Sequence, residues 1–187
     1  MKPGKGKAKG SAFERIIAKQ LSRWLTDGKD ATQLVRSVLS GGWGPRAARQ
    51  AGDLAANGPE GERFRATFVV ECKHRRGDLL WGLYTKTGTE CIQGWWQKLE
   101  QEARSVQCVP LLIFRQNGRP TMLATYETLA DRIFQDFVHT GKPRPPFLTH
   151  RSEPKRGAPT VRFVILPLDA FLRLSPKTIY QILGESL

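Results

Sequence analysis

Segments whose apolar residues recur at helical spacing alternate along this chain with short apolar runs. That alternation constrains the fold more than any other feature. In SAFERIIAKQLSRWL, Phe13, Ile16, Ile17, Leu21, Trp24 and Leu25 fall three and four apart, the spacing of an amphipathic helix. Ser11 and Glu14 have the S-x-x-E arrangement of a capping box at its start, and Thr26 to Gly28 would end it. The same period returns at Ile92, Trp95, Trp96, Leu99 and Ala103, and again at Tyr126, Leu129, Ala130, Ile133, Phe134 and Phe137. Between and after these lie FRATFVVECK, VPLLIF, TMLAT and VRFVIL, which read as strands. AGDLAA reads as a short strand and NGPEGE as a turn, so AGDLAA and FRATFVVECK are expected to pair as a hairpin. Residues 139–160 read as a long loop, and Ser175-Pro176 as the N-cap and first residue of a last short helix. The order helix, strands, helix, strands, helix predicts an α/β or α+β sandwich with a mixed sheet.

At 187 residues the chain suits one domain with a core of its own, plus a tail. No apolar run approaches the roughly 20 residues a membrane-crossing helix needs. The N-terminal MKPGKGKAKG lacks the apolar stretch of a secretory signal, so a cytoplasmic location is expected. Cys72, Cys91 and Cys108 match no zinc spacing and no disulfide framework, and are expected to be small packed side chains.

The net charge of +13 implies a polyanionic partner, and its placement is more telling than its size. Residues 1–50 carry 11 Lys/Arg against 3 acids and residues 139–162 carry 6 against 1, whereas residues 51–138 balance at 11 and 11. Basic flanks around a neutral centre suit a protein that grips phosphates while keeping working carboxylates in its middle. An anionic membrane surface would attract the same charge, but no amphipathic helix with a basic face stands out. Nucleic acid is the expected partner.

Glu71 and Lys73, two apart on a predicted strand, project from one face while Cys72 points to the other. With an even hairpin register, Asp53 joins that face. Two carboxylates and a lysine suit phosphodiester hydrolysis. Asp53, Glu71 and the Cys72 carbonyl oxygen offer the hard ligands that Mg²⁺ prefers, and Mg²⁺ lowers the pKa of a bound water. Lys73 would orient that water or stabilise the pentavalent phosphate. The bland alternative is a solvated Glu71–Lys73 pair at a strand end with Asp53 in a turn. The apolar FVV immediately before Glu71 argues against it.

Gly52-Asp53 followed by VVECK at Val69–Lys73 resembles the D…(D/E)-x-K signature of the PD-(D/E)xK nuclease superfamily. The likeness includes the helix containing Glu14 and continues through WWQKLEQEARSVQCVPLLIFRQNGRP, which is similar to the corresponding segment of Holliday junction resolvase-like proteins, phage-encoded ones among them. It spans roughly residues 11–125. The resemblance implies a restriction-endonuclease-like core: a mixed central β-sheet flanked by α-helices, in a core of residues 11–138. Residues 1–10, rich in Lys and Gly, are expected to be a disordered basic tail, and 139–187, outside the resemblance, an extension of the same domain. The resemblance also implies a metal-dependent DNA endonuclease with Asp53 and Glu71 as ligands of Mg²⁺, for which Mn²⁺ could substitute. Lys73 would be the catalytic lysine, with Glu14 assisting. Gly52 stands where the superfamily most often has proline.

A structure-selective resolvase would act as a homodimer on four-way DNA junctions, in a phage or bacterial host cytoplasm, because two symmetric nicks suit a twofold assembly. A restriction-like or general nickase of the same fold, and a basic non-catalytic nucleic-acid-binding protein, are the alternatives. The resemblance places the loop Ser40 to Gln50, with Arg46 and Arg49, against DNA. In this basic, Gly-rich loop those arginines are read as phosphate ligands or as solubilising charge. Gln97 and Gln101 lie on the polar helix face, as site or phosphate contacts or as plain solvated surface. Glu14 is either the capping partner or a site residue. Trp95-Trp96 would stack on bases or fill the core. His74 would serve as a base or lie on the surface, and His139 and His150 have no recognisable partner.

Overall fold

The computed structural model describes residues 5–37, 51–77, 79–80, 91–141, 143–152 and 161–184. Its elements run α1 (Lys5–Leu25), β1 (Leu34–Arg36), β2 (Leu54–Ala56), α2 (Pro59–Thr67), β3 (Phe68–Arg75), α3 (Ile92–Ser105), β4 (Val109–Gln116), β5 (Thr121–Thr125), α4 (Glu127–His139), β6 (Leu148–Ser152), β7 (Val161–Pro167), α5 (Leu168–Leu172) and α6 (Pro176–Gly184). The chain is α/β with a mixed five-stranded sheet in the order β3-β4-β5-β7-β6, where only β3 and β4 pair in parallel. A second sheet, β1-β2, is antiparallel.

The period-two alternation of strands assigns each side chain to one of two cores. Phe68, Val70 and Cys72 of β3, with Leu111 and Ile113 of β4, pack under α1, α2, α4, α5 and α6. Val69, with Leu112 and Phe114, packs under α3. Glu71 and Lys73 share the parity of Val69, so the strand itself turns them toward α3.

In α1, Phe13, Ile17 and Leu21 are at most 2% exposed. Burial of each is worth roughly 1.5–3 kcal/mol, enough to hold the helix against the sheet. Ile16, counted in the apolar stripe, is exposed. The helix begins at Lys5, so residues 5–10 are its first turns rather than a disordered tail. Once nucleated, helix propagates cheaply through such a segment. Ser11 and Glu14 therefore lie inside the helix, and no capping box exists there.

The expected hairpin is also corrected. NGPEGE is not a turn: Pro59 takes the first position of α2, and Glu60 and Glu62 sit in its first turn, where carboxylates oppose the helix dipole favourably. A Cβ on Gly61 would collide with the Gln33 carbonyl oxygen, so this glycine lets α2 close on the chain entering β1. β2 then pairs with β1 instead of β3. The loop expected over 139–160 contains β6, a polar edge strand on β7. At α6 the expectation holds, with the Thr178 N–H donating to Ser175 Oγ at 3.1 Å. Cys72 and Cys91 are buried, Cys108 is half-buried, and all three are free thiols. No helix of the described residues is long and apolar enough to cross a membrane.

Candidate active site

Asp53 reaches β3 without a hairpin. Its N–H donates to the Val70 carbonyl oxygen at 2.8 Å, and its own carbonyl accepts the Ser37 N–H at 2.8 Å. The carboxylate turns back to the same strand, where Oδ2 accepts the Cys72 N–H at 2.8 Å. Asp53 is thereby knitted to the edge of β3 beside Glu71. Lys73 Nζ pairs with Glu71 Oε1, both side chains being largely buried.

Gly52 makes this approach possible. Its φ is +84°, and a Cβ there would lie 2.5 Å from the Val70 carbonyl oxygen. Proline, with φ fixed near −65°, cannot occupy that position. The departure from the superfamily's proline is thus a consequence of how the chain meets β3. Two side chains hold the approach from outside: Glu102 Oε1 accepts the Gly52 N–H at 3.0 Å, and Arg65 donates to the Ala51 carbonyl oxygen at 3.0 Å.

Beside Glu71 opens a cleft of about 220 Å³, with Glu71, Lys73 and Arg75 on the β3 wall and Lys98 and Glu102 on the α3 wall. Glu14 lies within electrostatic reach of Asp53 and forms an ion pair with Arg36 of β1. Gln97 and Gln101 are exposed and do not line the cleft. They lie two residues to either side of Leu99, about 200° round the helix from that buried residue. Lys98 and Glu102, an i, i+4 pair flanking the apolar stripe, take the place facing β3, and that spacing was the signal that could have found them. Trp96 is fully buried in the core, and Trp95, also buried, forms part of the cleft lining beneath Arg75. His74 faces the other side of β3, packed on Phe13 and hydrogen-bonded to Asn117. His139 contacts the Gln135 carbonyl oxygen, and His150 packs on Phe163. Ser40, Arg46 and Arg49 lie outside the described residues.

The electrostatics are those of crowded carboxylates. Burial first, then the charge of Glu71, pushes the Asp53 carboxyl up to about 7; the Cys72 N–H opposes this, Glu14 adds to it and Lys73 opposes it. Burial draws the Lys73 ammonium down, but Glu71 and Asp53 more than offset that, so it stays above its ordinary value and fully charged near neutrality. Burial, with Asp53 and Glu71 behind it, raises the Cys72 thiol well beyond the physiological range, so the thiol is not a nucleophile.

Among the described residues no three or more His, Cys, Asp or Glu side chains come together as a ligand group. The donors expected from sequence, the Asp53 and Glu71 carboxylates and the Cys72 carbonyl, are all hard oxygens. They fit a hard divalent cation that keeps several waters, and a soft or fully caged metal much less well.

A mixed five-stranded sheet flanked by helices, with Glu71 and Lys73 on its edge strand and Asp53 bonded to that edge, is the architecture of a restriction-endonuclease-like core. The chain belongs to the family described as "Phage putative PDDEXK endonuclease", whose model matches residues 5–181. No curated protein and no solved structure matches it. Nucleases of the PD-(D/E)xK kind typically use divalent metals.

Proposed function

We propose that the protein is a Mg²⁺-dependent DNA endonuclease with Asp53, Glu71 and Lys73 at its centre, selective for four-way junctions and acting as a homodimer. The observation that carries the catalytic part is the Cys72 N–H to Asp53 Oδ2 hydrogen bond, which fixes one carboxylate against the strand bearing the other. The junction preference rests on the likeness of residues 11–125 to resolvase-like proteins. The dimer rests on the need for two symmetric nicks.

Asp53, Glu71 and the Cys72 carbonyl would hold the metal, with Mn²⁺ able to replace Mg²⁺ and Glu14 supporting the site through its charge. When bound, the metal supplies charge neutralisation at the phosphate and a more acidic water. The chain's own residues do the rest. The Asp53 carboxylate, crowded by Glu71, is held ready to take a cation instead of a proton. Lys73, kept charged by the two carboxylates, faces the cleft and stabilises the negative charge that grows on the phosphate oxygens. Lys98 and Arg75 line the same cleft, where they can seat the strand being cut.

Cleavage of an end-labelled four-way junction beside a matched linear duplex, with Mg²⁺ or EDTA, tests this reading. Symmetric nicks in the junction alone, abolished by EDTA, are expected. Equal cutting of both DNAs would remove the junction preference and leave a general nickase. Tight binding with no cutting under several divalent metals would leave a non-catalytic nucleic-acid-binding protein.

A further inference from the structure

The end of β3 carries basic side chains to both faces of the sheet edge. Lys73 and Arg75 point toward α3, where the cleft also holds Lys98. His74 points the opposite way, toward α1. In register beside it on β4 stands Arg115, and over both lies Lys9 of α1, whose ammonium donates to Asn117 Oδ1 at 2.5 Å. Asn117 is hydrogen-bonded to His74 as well, and its N–H donates to the Arg75 carbonyl oxygen at 3.2 Å. One short turn therefore gathers Lys9, His74 and Arg115 at the tip of the strand that bears Glu71.

Among the described residues this cluster has no counter-charge of its own. Among the described residues neither Lys9 nor Arg115 has an ion-pair partner. The Arg115 Nε–H is buried and makes no hydrogen bond. A site of this kind costs folding energy unless an anion completes it.

We propose that Lys9, Arg115 and Asn117 form a second phosphate subsite for the DNA backbone, so that the strand being cut passes over the end of β3 from the α3 cleft to the α1 face. The proposal rests on the endonuclease reading for its ligand. The two sets of cations flank the same end of β3 on opposite faces of the sheet, with Arg115 in register beside His74, so a backbone rounding that end would meet both. Such contacts position DNA without reading its sequence.

Equilibrium binding of the full-length chain to a linear duplex in EDTA, across a range of salt concentrations, tests it. Lys9→Gln/Arg115→Gln should lower the slope of log K against log[salt] by about 0.9, the loss of one phosphate contact, and weaken binding several-fold at low salt. Arg115→Lys should keep the slope. Should the double variant fail to fold, Lys9→Gln, on the surface of α1, gives the same reading at smaller amplitude. An unchanged slope and affinity in a folded variant would overturn the subsite, even if the wild type cuts DNA normally. A reduced slope in a protein that cuts nothing would uphold the subsite and refute the nuclease reading instead.

Discussion

Glu102 of α3 accepts the backbone N–H of Gly52 at 3.0 Å, so a helix on one face of the sheet holds the residue that delivers Asp53 to the edge strand. A hydrogen bond to a charged acceptor is worth about 1.5–3 kcal/mol when buried, and less here because the site is partly open to water. Glu102→Ala should lower DNA cleavage about ten-fold while the DNA dissociation constant, measured in EDTA, weakens less than two-fold. Glu102→Gln keeps an acceptor oxygen and should restore most of the rate. A purely structural role would move thermal stability in both variants and leave no such rescue.

Gly52 cannot be exchanged for the proline that is commonest at this place. Its positive φ and the 2.5 Å approach of a Cβ to the Val70 carbonyl both oppose it. Gly52→Pro and Gly52→Ala should each destabilise the protein by about 2 kcal/mol or more in urea unfolding. Both should cut cleavage by at least 100-fold, because Asp53 is displaced.

Asp53 makes the metal-free protein sensitive to pH in a direction opposite to that of a salt-bridged carboxylate. Its folded pKa of about 7 lies above its ordinary value of 3.8. Its contribution is therefore fully present below pH 4 and lost as pH rises through 7. In EDTA the stability should fall between about pH 4 and pH 7, by an amount on the order of 2–4 kcal/mol at about 1.4 kcal/mol per pKa unit, read as a lower melting temperature. Asp53→Asn should remove most of that dependence and stabilise the protein at pH 8. Saturating Mg²⁺ should do the same for the wild type, because a bound cation replaces the proton.

Trp96 is completely buried, with its ring against Tyr126 and Phe163. Trp96→Ala should cost about 3–5 kcal/mol of stability. In the fraction that remains folded, DNA affinity should be unchanged. A loss of affinity at unchanged stability would instead mark the ring as a base-stacking platform.

Strongly periodic segments were legible from sequence, and α3, β4, β5 and α4 appear close to where the apolar spacing puts them. The parity of Glu71 and Lys73 was equally readable, because the apolar residues before them fix which face is which. What misled was local chemistry with two meanings. Pro59 and Gly61 read as a turn, yet Pro59 opens α2 and Gly61 admits its close packing. Asp53 therefore reaches β3 from a β1–β2 pair through an edge contact, and not through a hairpin. On α3 it is distance from the buried stripe, more than polarity, that brings the i, i+4 pair Lys98 and Glu102 to face β3. β6 carried no alternating pattern because it is an edge strand, and nothing local announced it.

Cleavage and binding measured on the same preparations of wild type and Glu71→Gln, with a four-way junction and a linear duplex, test the central claim most directly. The account predicts that the substitution abolishes Mg²⁺-dependent cleavage by at least 1,000-fold, about 4 kcal/mol of lost transition-state stabilisation, while DNA binding in EDTA is kept or tightened. Cleavage undiminished in a folded Glu71→Gln protein would contradict it and move the chemistry away from Asp53, Glu71 and Lys73.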